Sequence, residues 1–187
     1  MNKALAGALI AAAAASVAAS GCQSNRKEAQ LKNPAPCPNI VVLQDAARLV
    51  DFVGEPRIED VAWTAEIEDV TLACRYVGDN PIDASVQVNL AFGRGPKAAG
   101  DEREFSYWVA VTRTDREVIE KKEFLVPVEF GGNQKVKRIR QDIEEIIIPR
   151  KGEETNGTNF EVVIGLVVTP QQATYNRSGK SLKFPDL

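Results

Sequence analysis

The stretch Ile82-Asp83-Ala84-Ser85-Val86-Gln87-Val88-Asn89-Leu90-Ala91-Phe92 decides the fold class. Its even-numbered residues are all apolar, while Asp83, Ser85, Gln87 and Asn89 stand between them. A period of two places alternate side chains on opposite faces of a strand, so one face is written for a core and the other for water. The pattern recurs along the chain. Phe105, Tyr107, Val109 and Val111 alternate with Ser106, Trp108, Ala110 and Thr112. Phe124, Val126, Val128 and Phe130 repeat it after a charged approach. Pro127, on the opposite face of that segment, predicts an edge strand or a bulge, because proline has no N–H for a second ladder. Residues 160–168 are apolar on both faces, as in a central strand, and Gly165 there permits close packing. Within residues 63–76 the phase changes from Trp63, Ala65 and Ile67 to Val70, Leu72, Cys74 and Tyr76, which predicts a bulge or tight bend near Asp69. Residues 40–43 read as a further short strand.

Two segments depart from this alternation. Residues 45–52 cluster Ala46, Leu49, Val50 and Phe52 as two helical turns would. Val136, Ile139, Ile143, Ile146 and Ile147 fit helical spacing better than strand spacing, yet their β-branched content and their surroundings favour an irregular strand ended by Pro149. Turn signals at Asp79-Asn80-Pro81, Gly93-Arg94-Gly95-Pro96 and Gly131-Gly132-Asn133 divide the chain into about seven short strands. The expected fold is all-β: an antiparallel, immunoglobulin-like β-sandwich. Such a fold hosts many unrelated functions and supplies no activity by itself.

The amino-terminal residues give an address. Lys3 is followed by an uncharged run rich in Ala with Leu5, Leu9, Ile10 and Val17, and small residues lead into Cys22. That is the layout of an export signal, and it is shorter than the roughly 20 apolar residues of a spanning helix. Ala19-Ser20-Gly21-Cys22 resembles the lipobox of bacterial lipoproteins, with Ala19 where the family usually has Leu. The resemblance implies cleavage before Cys22, acylation of that cysteine, and a chain held in the cell envelope facing the periplasm. Gln23, rather than Asp, after the cysteine favours the outer membrane. The mature domain likewise resembles small envelope lipoproteins of Gram-negative bacteria. The organisation is then a signal peptide (1–21), a polar tether (22–36) containing Arg26, Lys27, Glu28, Lys32, Pro34 and Pro36, and a domain (37–187).

With Cys22 acylated, Cys37 and Cys74 remain as an even pair in an oxidising compartment, and a disulfide between them is expected. No Cys-x-x-Cys is present, which favours a structural bridge over a redox pair.

Composition removes whole classes of function. The chain has no histidine, so it can build neither a Ser-His-Asp nor a Cys-His arrangement, nor a metal site using imidazole. A formal charge of −3, becoming −4 once Lys3 leaves with the signal, carries no nucleic-acid footprint. Gly93-Arg94-Gly95-Pro96-Lys97-Ala98 matches a loose dinucleotide pattern, but Pro96 and the polar residues after it leave no helix to hold a pyrophosphate, and a hairpin loop is expected instead. Gly179-Lys180-Ser181 lacks the first glycine of a P-loop, where Thr174 stands, and Ser178 and Ser181 lack Ser-x-x-Lys spacing. No cofactor is expected.

Some candidates survive. Asp60, Glu66, Glu68 and Asp69 lie close in sequence and could bind a hard cation or act as acid and base, although acidic side chains on a solvated strand face explain them equally. Lys135, Lys137, Arg138 and Arg140 form a basic cluster suited to surface contacts with an anionic partner, or to an ordinary charged strand face. Trp63, Tyr107 and Trp108 are recognition aromatics or core. The leading reading is a lipid-anchored, non-catalytic envelope protein that docks onto another envelope protein through a sandwich face or an edge strand. The alternatives are a module binding a small ligand, lipid or glycan, and a carboxylate-dependent hydrolase.

Overall fold

The computed structural model describes residues 35–183, apart from Arg116 and Glu153. The signal segment, the lipobox with Cys22, and the tether before Ala35 lie outside the described residues. Eight strands are described: β1 (Asn39–Val42), β2 (Arg48–Phe52), β3 (Val61–Arg75), β4 (Ile82–Arg94), β5 (Glu102–Arg113), β6 (Val118–Glu129), β7 (Val136–Ile148) and β8 (Phe160–Leu166). A helix, α1 (Pro170–Arg177), follows them.

The strands form two four-stranded sheets, ordered β1-β8-β5-β6 and β2-β3-β4-β7. Every pairing is antiparallel except that of β1 with β8. β4 and β7 are neighbours in one sheet, and the strands that follow them, β5 and β8, are neighbours in the other. This is the B–E and C–F relation of the immunoglobulin plan, with β3 in the place of strand A. The all-β sandwich expected from the alternation is thus the observed fold. Its core is the predicted set of inward residues, including Val86, Val88, Leu90 and Phe92 from one sheet and Tyr107, Val109, Val162 and Ile164 from the other.

The irregularities fall where the phase changes fall in the sequence. The β3–β4 register shifts between Ile67 and Asp69, leaving Glu68 as the extra residue. In β7, Ile146 pairs with Ala84 and Ile143 with Val86, so Glu144 and Glu145 together face Ser85. That bulge produces the helix-like spacing of the isoleucines in a strand. β6 is an edge strand, as Pro127 predicts.

Two expectations need correction, and one element is added. Residues 45–52 are not two helical turns: a 3-10 turn at Gln44–Ala46 leads into β2, whose backbone pairs with β3. The apolar residues cluster because Leu49 faces the core while Val50, on the opposite side, is also buried. The Gly93 to Ala98 segment is not a hairpin loop, since β4 and β5 belong to different sheets and the chain crosses between them there. Gly95 is required at that crossing because a Cβ would stand 2.3 Å from the Val61 carbonyl oxygen. Helix α1 is an addition. Thr169 Oγ1 accepts from the Gln172 N–H at 3.2 Å, the Gln172 side chain accepts from the Thr169 N–H at 2.8 Å, and Pro170 opens the first turn.

Cys37 and Cys74 form a disulfide with Cα atoms 5.6 Å apart, tying the segment before β1 to β3 of the opposite sheet. Beside it, the Tyr76 hydroxyl donates to the Pro36 carbonyl at 2.6 Å and accepts from the Gly157 N–H at 2.7 Å. Ala35 packs against the core, so the folded unit extends upstream of Cys37.

Candidate functional site

The four candidate carboxylates do not converge. Asp60, in the 3-10 turn before β3, is buried and accepts from Arg57 at 2.8 Å, while Asp69 lies past the bulge opposite Asn89. Glu66 and Glu68 do border one shallow depression of about 260 Å³, but each is held by a guanidinium. Arg48 contacts Glu66 at 2.5 Å and Arg138 contacts Glu68 at 2.9 Å. Among the described residues, no group of three or more His, Cys, Asp or Glu is placed to hold a metal ion.

The basic cluster is drawn into the domain's own contacts. Arg138 pairs with Glu68, Arg140 with Asp142 at 3.0 Å, and Lys137 Nζ donates to the Glu129 carbonyl at 2.8 Å. Lys135 precedes β7, and its carbonyl accepts from the Arg94 N–H. Trp63 and Tyr107 are core residues. Tyr107 stacks on Phe124, and burial pushes its hydroxyl up to about 12.

Trp108 is different. It lies on the outer face of β5, half-buried over Gly165 of β8, where a Cβ would come within 2.7 Å of the indole. Lys121 of β6 sits over the same ring at 4.6 Å, a cation–π contact. Around Trp108 the outer face of the β1-β8-β5-β6 sheet is mainly apolar over three successive rows, the second ending on β6 in Glu123 and the third in Lys121. Leu125, Ser106 and Val167 form one; Trp108 and Gly165, beside Leu43, form the next; Ala110, Val163 and Val41 form the third. Exposure there is high for such residues: Leu125 59%, Leu43 45%, Val167 40% and Val41 38%.

The margin of this face is acidic. Glu102 and Glu129 are directly opposite across β5 and β6, Glu104 pairs with Pro127, Glu123 with Trp108, and Glu161 with Thr112. Among the described residues, none of these five carboxylates has an ion-pair partner. Lys121 is the one cation on the outward positions of these four strands; Arg103 and Lys137 line a recess with Glu102, Glu104 and Glu129, but Arg103 pairs with Asp51 and Lys137 donates to the Glu129 carbonyl.

The outer face of the other sheet is its opposite. Thr71, Ser85, Gln87 and Asn89 line it, and eight of its charges pair as Arg48–Glu66, Arg75–Asp83, Arg138–Glu68 and Arg140–Asp142, while Asp69 and Glu144 stand exposed beside them. Its surface is written for water.

The lateral sides also differ. On the side of the short strands β1 and β2, the chain crosses between sheets and α1 is pinned to that crossing, Asn176 Nδ2 donating to the carbonyls of Asp45 and Arg48 at 2.8 and 2.7 Å. On the other side stand the long edges of β6 and β7. Between them opens a cleft of about 190 Å³, lined by Val109, Val111, Phe124, Ile143 and Ile146 with Glu120, Lys122 and Glu145. β6 carries three devices that oppose strand addition: a bulge at Ile119, the inward-facing charges Glu120 and Lys122, and Pro127.

No protein-family model matches the chain, and neither does any curated protein or solved structure. Among the described residues, no helix is long and apolar enough to cross a membrane.

The apolar positions Val41, Leu43, Leu125, Val163 and Val167, and the five bordering glutamates, were not among the residues the sequence singled out. The signal that could have found them is the double apolar face of residues 160–168.

Proposed function

We propose that this chain is a lipid-anchored envelope protein with a non-catalytic docking role, and that it docks through the outer face of the β1-β8-β5-β6 sheet. The observation that carries the reading is the contrast between the two outer faces: one is polar with most of its charges paired, the other exposes an apolar centre. Contiguous apolar surface on a soluble domain marks an interaction site. The guarded edge of β6 favours docking through the face over docking by strand addition there. The anchor rests on the lipobox resemblance at Ala19-Ser20-Gly21-Cys22.

The experiment has two parts. Palmitate should label the protein, and Cys22→Ser should abolish the label. In the anchored protein, a photo-crosslinking residue at position 125 should give one reproducible adduct in intact cells, whereas the same residue at position 87 should give none. Equal yields at both positions, or none at 125, would remove the docking assignment.

A second reading is supported by the cleft between β6 and β7: a module that binds a short apolar ligand. Its volume of about 190 Å³ is below the roughly 300–1,000 Å³ typical of small-molecule sites. Titration with a fluorescent short-chain acyl probe tests it, with Ile143→Glu expected to abolish binding.

A further inference from the structure

Taking the docking reading as its basis, we infer that the partner is a protein surface with an apolar centre and a basic margin. The argument is one of charge complementarity. Five glutamates, Glu102, Glu104, Glu123, Glu129 and Glu161, border the apolar rows, and none has an ion-pair partner among the described residues. The domain pairs many of its charges elsewhere, since four ion pairs lie on the opposite outer face. Glu102 and Glu129 even occupy directly opposed positions, an arrangement in which like charges repel. Such repulsion is relieved when a cation settles between them.

The same charges disfavour other occupants. Two copies of this face would bring ten carboxylates to one interface against the two Lys121 side chains on it, with each Arg103 already paired to Asp51 and each Lys137 donating to the Glu129 carbonyl, so a face-to-face homodimer is opposed by its own margin. An anionic lipid surface is repelled for the same reason. Lys121 does not offset this, being held over the Trp108 ring at 4.6 Å.

The test uses the full chain in phosphatidylcholine nanodiscs, with empty discs as blank. Two amphipathic helical peptides serve as probes, identical in their leucine face and differing only in carrying lysine or glutamate on the flanks. The lysine peptide should bind, should bind at least tenfold more weakly to the combined Glu104→Gln, Glu123→Gln and Glu129→Gln variant, and should lose affinity as salt rises. Leu125→Gln should also weaken it. The glutamate peptide should not bind. Equal binding of both peptides, or no effect of the three Glu→Gln changes, would overturn the basic-margin assignment while leaving docking through this face intact. Self-association of the chain that Leu125→Gln abolishes would overturn it in favour of a second copy. Failure of both peptides, together with no adduct from position 125 in cells, would overturn the docking reading as well.

Discussion

Replacing Tyr76 by Phe tests how the amino-terminal segment is fixed to the sandwich. The change removes one oxygen and leaves the ring in place, with the Arg150 guanidinium 5.2 Å from its centre. That oxygen donates to Pro36 and accepts from Gly157, and the two losses are unequal. Pro36 is exposed, so water replaces the lost donor and the net cost there is small. Gly157 is buried, and its N–H is left with nothing to donate to. An orphaned buried donor costs about 1–3 kcal/mol and an ordinary hydrogen bond about 0.5–1.5 kcal/mol, so the total should be about 2 kcal/mol. Urea unfolding should show a lower midpoint at unchanged slope, and the thermal midpoint of a domain this size should fall by about 4–8 °C. Amide exchange at Gly157 should accelerate, because the N–H is then protected by sterics alone. A loss below about 0.5 kcal/mol would refute the reasoning, since it would mean that water reaches Gly157 and the hydroxyl is not the clamp.

The other tyrosine in the core should behave in the opposite way. Tyr107 has a buried hydroxyl without a hydrogen-bond partner among the described residues, so Tyr107→Phe should be neutral or should stabilise by up to about 1 kcal/mol. Its acid form is favoured on folding, with the hydroxyl pushed to about 12 against about 10 when unfolded, so the unfolded chain loses its proton first. Stability should therefore be intact below pH 10 and fall by roughly 2–3 kcal/mol between pH 10 and 12, a decline that Tyr107→Phe should remove from the pH profile of chemical unfolding. Gly165→Ala would place a Cβ 2.7 Å from Trp108 and 2.8 Å from the Ala46 Cβ; lifting the indole should cost about 1–3 kcal/mol and change the indole fluorescence. Opening the Cys37–Cys74 bridge by a double Cys→Ser change should cost about 3.8 kcal/mol for its 37-residue separation, measured by urea unfolding.

Much of the fold was legible because strand periodicity is local. The alternation from Ile82 to Phe92 needs only the pleat to be read, and the bulges at Glu68 and at Glu144 and Glu145 appear in the sequence as breaks of phase. What failed needed long-range information. β2 resembles a helix in composition because both of its sides are covered, Leu49 by the core and Val50 on the outside, and nothing within residues 45–52 announces that second cover. The crossing at Gly95 resembles a hairpin loop because the residues that make a chain turn are the same whether it returns to its own sheet or leaves it. The capping box at Thr169 was present in the sequence, but a single eight-residue helix after a run of strands has too weak a pattern to stand out. The docking face was the least legible part. It draws on residues of four strands and their ends separated by up to 126 positions, from Val41 to Val167, and only the sheet order brings them together.

β8 shows why that face calls for a partner. Phe160, Val162, Ile164 and Leu166 fill the core, and Val163, Gly165 and Val167 on the opposite side are apolar as well. A strand apolar on both faces suits a sheet with a layer on each side, yet the second sheet covers only the inner face of β8, and on the outer face Ala46 and the Trp108 ring reach Gly165 while Val167 stays exposed. The energy of covering the outer side is modest. Leu125, Leu43, Val167 and Val41 are each roughly half exposed, and full burial of such a side chain gives about 1.5–3 kcal/mol, so completing it yields about 1 kcal/mol each and about 4 kcal/mol together. Association itself costs about 4–15 kcal/mol, so apolar contact on this face alone does not hold a partner. The unpaired glutamates at its margin change that balance only when they meet cations, and marginal charges act chiefly on the rate of encounter. Raising the salt concentration should therefore slow association with a basic-margined partner far more than it speeds dissociation, which a purely apolar interface would not show.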